Sequence, residues 1–145
     1  MSRWSRITLV LDACFLLVMG ISATVSAWMS SANGSGIMGS LFRGQPFVLG
    51  FVEATLLVAV IGAGLMIAAV GEQRPTAWHV FALIAHVALA SVDIGYVDEV
   101  AALGMGGSGY TVPVIHGLFI VAHVIGLRSI RPVSRESAPV PASSG

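Results

Sequence analysis

The chain has no lysine and one cysteine, and only 10% of its 145 residues are charged. Soluble domains carry about 25% charged residues, so this composition excludes an ordinary water-soluble fold and points to the membrane class. All seven basic residues are arginine and the formal net charge is zero. Without a basic stripe interleaved with aromatics, nucleic acid is excluded as a natural partner. A single cysteine, Cys14, rules out an internal disulfide, a CxxC redox pair and a cysteine zinc site. It is expected to be a small buried hydrophobe.

What the chain has in abundance is apolar sequence, with a mean hydropathy of +0.90. Four apolar runs stand out, approximately residues 7–29, 47–70, 76–97 and 112–127. Crossing a bilayer takes ~20 mostly apolar residues at ~1.5 Å rise each. Arg3 and Arg6 precede the first run, and Val25-Ser26-Ala27 resembles a signal-peptidase site. The run is longer than the usual ~7–15-residue signal core and contains Asp12, so it reads as a true first span. Arg3, Arg6, Arg74, Arg128, Arg131 and Arg135 fall on one side of the four runs, and only Arg43 on the other. The positive-inside rule makes the first side cytoplasmic. The expected fold is an all-α membrane protein: an antiparallel four-helix transmembrane bundle over residues 1–131, both termini cytoplasmic. Residues 132–145, rich in Pro, Ser and Ala, read as a disordered cytoplasmic tail. The implied location is the cell membrane, multi-pass, with the lipid bilayer as first partner.

Local signals mark the span ends. Pro46 can start the second helix and Pro113 falls in the first turn of the fourth, where a missing N–H costs no hydrogen bond. The segment Gly71-Glu72-Gln73-Arg74-Pro75 is a tight turn. The Ser30–Gln45 loop keeps Ile37, Met38, Leu41 and Phe42, which suit either an interfacial loop or a lid over the bundle mouth. Gly20, Gly50, Gly62, Gly64 and Gly117, with several alanines, supply the small residues that let helices approach in lipid. Gly62-Ala63-Gly64 is packing chemistry, since no strand–turn–helix surrounds it.

The informative residues are ionisable ones inside the spans: Asp12, Glu53, His79, His86, Asp93, His116 and His123. A charge in hydrocarbon costs at least ~2.5–3.5 kcal/mol, so such groups turn inward and mark function. His79, His86 and Asp93 are spaced seven apart, as are His116 and His123. Seven residues are nearly two turns, so each set occupies one helix face. Depths counted from the outer span ends pair Asp93 with His116 and His86 with His123, and leave Asp12 with His79 at the cytoplasmic end. Glu53 falls near the depth of the first pair. Glu53, Asp93 and His116 are therefore the candidate catalytic residues. A buried carboxyl can donate a proton while a neighbouring carboxylate or imidazole accepts one.

Other chemistries use the same residues. Seven-residue spacing cannot chelate one ion from one helix, unlike the i,i+4 histidines of HExxH, so a metal would need ligands from several helices. A b-type haem would take one axial histidine from each of the third and fourth helices, with His86 and His123 as the natural pair. The reading adopted assigns no metal and no cofactor. Proton movement along the stripe from His79 to Asp93 is a transport alternative, although no selectivity filter is visible.

Length, four spans and the stretch Gly50-Phe51-Val52-Glu53 running into Leu56–Met66 resemble the DoxX-like family of small four-helix membrane proteins. The resemblance implies a four-helix bundle and, in some members, quinone-linked or thiol-redox partners. Related small membrane proteins are linked to terpenoid cyclisation. The expected function is thus an intramembrane acid–base isomerase or cyclase acting on an apolar, lipid- or terpenoid-like small molecule. The alternative is a non-catalytic membrane subunit that binds quinone, lipid or b-type haem in a redox complex, or a small transporter. The expected partners are the apolar ligand and either a second copy of the chain or a redox protein.

Overall fold

The computed structural model describes residues 1–36, 38–71, 74–102 and 106–130, and its regular structure is helical: α1 (Arg3–Asn33), α2 (Val48–Gly71), α3 (Pro75–Gly95), the short α4 (Val97–Val100) and α5 (Gly106–Ser129). Four helices, α1, α2, α3 and the Gly109–Ser129 part of α5, are long and apolar enough to cross a membrane. The tail at 132–145, with Arg131 and Ile37, lies outside the described residues.

The ends follow from local chemistry. Ser2 caps α1 by accepting the Ser5 N–H at 3.1 Å, and Gly34 closes the helix in the left-handed region at φ 71°, where a glycine carries no Cβ penalty. Pro75 occupies the first turn of α3. Two expectations about proline fail. Pro46 precedes the first residue of α2 by two positions. Pro113 lies inside α5, because that helix begins at Gly106, six residues before the expected start of the span. Polar and glycine residues at 106–111 carry a helix that hydropathy alone does not reveal.

The interior and exterior are inverted relative to a soluble protein. Leu57, Val60, Ile67, Ile84 and Leu118 face outward and are at least 60% exposed, whereas Asp12, His79, His86 and His123 are fully buried. In water this distribution would expose far more apolar patch than a monomer tolerates, and in lipid it is the expected one. Cys14 belongs to the outward set. It is exposed, contrary to the expected burial, because its position on α1 turns away from the small core of Leu9, Ala13, Leu16, Leu65, Ala69 and Ala82.

Two helix pairs build the interior. α1 packs chiefly on α2, α3 chiefly on α5, and α1 also touches α5. The first seam is glycine-made. A Cβ on Gly20 would stand 2.6 Å from the Ala59 nitrogen, and one on Gly62 would stand 2.8 Å from the Leu17 nitrogen. The backbones therefore approach more closely than any larger residue allows, as small-residue seams in lipid do. Thr24 and Thr55 add a hydroxyl–hydroxyl bond of 2.8 Å. Gly50 and Gly117, read as packing residues, have no atom within 4 Å of an added Cβ.

The Ser30–Gln45 segment turns back over the helices. The Ser30 hydroxyl accepts the Phe42 N–H at 2.9 Å. Phe42 is 4% exposed and packs its ring against Phe47 and Phe51.

A candidate intramembrane relay and cavity

Three helices bring polar side chains to the interior, each at a seven-residue interval: Ser5 and Asp12 from α1, His79, His86 and Asp93 from α3, His116 and His123 from α5. The second seam, between α3 and α5, is made of imidazole pairs. His79 Nδ1 meets His123 Nδ1 at 2.8 Å, and His86 Nδ1 meets His116 Nδ1 at 2.7 Å. Asp12 sits between the two pairs. His86 Nε2 lies 2.9 Å from Asp12 Oδ1 and His123 Nε2 lies 2.9 Å from Asp12 Oδ2, hydrogen bonds in which both imidazoles donate when Asp12 is ionised. At one end Ser5 Oγ reaches His79 Nε2 at 2.6 Å. At the other, His116 Nε2 lies 3.4 Å from Asp93 Oδ2. The result is one hydrogen-bonded series, Ser5–His79–His123–Asp12–His86–His116, which ends in the longer approach of His116 to Asp93. His79, His123 and His86 each use both ring nitrogens in hydrogen bonds, and His116 uses Nδ1.

The expected pairings shift by one heptad. His116 pairs with His86 rather than sharing its depth with Asp93 alone, and His123 pairs with His79 rather than with His86. The cause is the earlier start of α5 at Gly106, which moves the outer end from which depth is counted. Asp12 is not a cytoplasmic-end partner of His79 but the centre of the series. Ser5–His79 and Asp12–His86 share the same sequence offset of 74, so α1 and α3 keep one constant register across the site. Ser5 escaped the sequence reading because serine is common in spans. Its seven-residue spacing to Asp12, matching the intervals on α3 and α5, is the signal that identifies it.

The candidate catalytic residues divide. Asp93 and His116 come together, but Glu53 does not join them. Its side chain is exposed on α2, a helix that packs chiefly on α1 and only slightly on α3. Counting depth along each helix could not fix which way its face turns.

Packing holds the rings. Phe119 stacks on His86 at 5.0 Å and 9°, and Phe15 meets His116 edge-on at 6.2 Å. His79 lies against the backbone of α5 at Gly126, where an added Cβ would come within 2.6 Å of the ring. Aromatic contacts of this kind contribute ~0.5–1.5 kcal/mol each beyond area burial. Interhelical hydrogen bonds in membranes average only ~0.6 kcal/mol, so fixing seven polar groups here is weakly explained by stability.

One heptad beyond the His86–His116 pair, the series loses its third imidazole. Asp93 is carried by α3, but the corresponding position on α5 is Gly109, and Met19 stands one heptad after Asp12 on α1. A cavity of about 950 Å³ opens there, with Asp93, His116, Gly109 and Met19 in its wall. Phe15, Leu16, Phe51 and Leu89 supply apolar wall, and Met38 and Leu41 of the folded-back segment border it. Its size and lining suit an apolar small molecule with few polar groups. Asp93 Oδ2 is a buried oxygen without a hydrogen-bond partner among the described residues.

Proton counting shows what the series can do. It contains six contacts, and Ser5, the four histidines and one of the two aspartates supply six protons if the rings are neutral. The proton shared between the aspartates fills the contacts in two ways. With Asp93 protonated, both arms donate toward an ionised Asp12. With Asp12 protonated, every contact from Ser5 onward donates toward an ionised Asp93. Three short hops, Asp93 to His116 to His86 to Asp12, interconvert them.

The donor atoms of Asp12, His86 and His123 lie within 4.8 Å of one another, close enough to share one metal ion. The histidine Nδ1 atoms are held by His116 and His79, the outer-shell support that metal-binding imidazoles use. A haem between His86 and His123 fits less well, since their rings stand 5.8 Å apart in stacked orientation and both address one carboxylate. Comparison with protein-family models, curated proteins and solved structures gives no match to this chain.

Proposed function

We propose that the chain is a multi-pass membrane protein, an antiparallel four-helix bundle with both termini cytoplasmic, that binds an apolar small molecule beside Asp93 and His116 and exchanges a proton with it. The observation that carries this reading is an apolar cavity of about 950 Å³ whose wall contains a carboxyl and an imidazole, with a hydrogen-bonded His–Asp series behind them. An acid and a base side by side, away from water, are what isomerisation or cyclisation of a lipid- or terpenoid-like substrate needs. Asp93 is the proton donor and acceptor toward the ligand. His116 exchanges with Asp93, and His86 and Asp12 position His116 and set its tautomer. Glu53 has no role in this scheme. The four-span plan implied by the DoxX-like resemblance is compatible with it.

The test is mass spectrometry of apolar compounds extracted from the purified protein. Wild-type protein should carry one dominant compound, and Met19→Trp, which fills the cavity, should reduce it by about tenfold, a change of ~1.4 kcal/mol. Asp93→Asn should retain the compound and lose its conversion. Equal recovery from wild type and Met19→Trp overturns the site.

Topology has its own test. In a Cys14→Ala background, Ser40→Cys should label with an impermeant thiol reagent on intact cells, and Ser2→Cys only after lysis. The arginine asymmetry and the opposed contact order of α1 with α2 support this orientation. Labelling of Ser2→Cys alone on intact cells reverses it.

A further inference from the structure

The Ser5 end of the series has no part in binding a ligand at Asp93, yet it is built as completely as the cavity end. From His79 to Asp93 the polar positions extend over 14 residues of α3, ~21 Å of a hydrocarbon core ~30 Å thick. Ser5 is one turn from Ser2, whose hydroxyl bonds the Ser129 hydroxyl at 2.8 Å, and both of those serines are partly exposed at the end of the bundle. The other end is the cavity. Between them no link exceeds 2.9 Å except the last, from His116 to Asp93.

We infer that this series is a proton pathway joining the N-terminal face of the membrane to the outer cavity, with Asp12 as its central station. The inference rests on the bilayer-spanning part of the reading above and not on the identity of the cavity's ligand. The step balances without a co-reactant. In the state with Asp12 protonated, His79 takes a proton on Nε2 from the Ser5 side and releases its Nδ1 proton to His123 Nδ1. His123 releases its Nε2 proton to Asp12, and Asp12 passes its own from Oδ1 to His86 Nε2. His86 releases Nδ1–H to His116 Nδ1, and His116 releases Nε2–H to Asp93 at the cavity. One proton enters, one arrives, and each imidazole ends in its other tautomer. Turning of the rings resets the direction, so transport is slower than through a water-filled pore.

A purely structural network would not need this arrangement. Four buried histidines satisfied by a carboxylate, backbone carbonyls and water would do as well. Here His79, His123 and His86 are each hydrogen-bonded in series through both nitrogens, the feature that lets imidazole accept at one atom while donating at the other.

The test uses the full-length protein in phosphatidylcholine–phosphatidylglycerol vesicles loaded with a pH-sensitive dye, with proton movement driven by a valinomycin–potassium potential. Wild-type vesicles should acidify or alkalise faster than protein-free ones. Asp12→Asn and His123→Gln should each cut that excess rate by at least about tenfold, the lower bound of what a proton-transfer group contributes. Ser5→Ala, which removes only one buried hydroxyl, guards against misfolding of the larger changes and should also slow the flux. Glu53→Gln should match wild type. No excess flux in wild-type vesicles, or wild-type flux in folded Asp12→Asn, overturns the pathway. So does stoichiometric transition metal in the purified protein, because an ion at Asp12, His86 and His123 would occupy both Nε2 atoms. Flux without a copurifying compound leaves the pathway standing and removes the ligand. A compound without flux does the reverse.

Discussion

The inner and outer parts of the α3–α5 seam carry the same seven-residue repeat and do opposite things with it. At His79–His123 and His86–His116 both helices present an imidazole, and the gap between them is closed by hydrogen bonds of 2.7–2.8 Å. One heptad further, α3 carries Asp93 while α5 carries Gly109, whose missing Cβ would meet Val100 rather than Asp93, and both residues border a cavity. The cavity thus lies where the ladder of imidazole pairs ends. A repeat that packs polar groups in series makes a relay, and the end of that repeat borders an apolar space.

The inner part is the easier to break. Asp12→Ala strips both central imidazoles of their acceptor in a fully buried place. Removing one partner of a buried hydrogen-bonded set costs ~3–5 kcal/mol, and thermal unfolding in detergent should show a loss of that order. A Tm equal to wild type would mean that water or the bundle rearranges around the imidazoles, and the ladder would not be the fixed element proposed here.

A smaller blow to the same part is Gly126→Ala. The new Cβ meets the His79 ring at 2.6 Å, an overpacking that costs ~1–3 kcal/mol and displaces His79 from Ser5 and His123. Gly117→Ala is its control, since nothing lies within 4 Å of that Cβ; it should stay within ~0.5 kcal/mol of wild type. If the two alanine variants behave alike in denaturation, the close seat of His79 on α5 is wrong.

The outer part should tolerate change. Met19→Trp fills space rather than creating a void, so its unfolding midpoint should remain close to wild type while the bound compound is lost. A Tm drop as large as that of Asp12→Ala would show that this part is core and not cavity. The smallest effect belongs to Glu53→Gln, on an exposed side chain, with an expected change within ~0.5 kcal/mol in stability and none in flux. Loss of activity there would restore Glu53 to the site and break the contrast between the two halves.

Much of this was legible in the chain. Apolar runs identified the four helices, and seven-residue spacing placed His79, His86 and Asp93 on one face and His116 and His123 on another. What failed was register. Depth was counted from the last apolar residue, but α5 begins among glycines and polar residues at 106, so His116 lies deeper than its distance from Val112 suggests. The same limit hid Asp12, whose depth depends on how α1 slides along α3, and misjudged Glu53 and Cys14, whose faces depend on which neighbours each helix selects.

The sequence by itself determined the number of helices long and apolar enough to cross a membrane and the polar faces of α3 and α5, because hydropathy and the helical period are properties of one segment at a time. Tertiary structure alone decided that Asp12 joins two histidine pairs, that Ser5 completes the series, and that a cavity opens beside Asp93. Those outcomes depend on axial offsets between helices. In lipid the offsets are set by close contacts such as Gly20 on Ala59 and Gly126 on His79, which no single segment encodes.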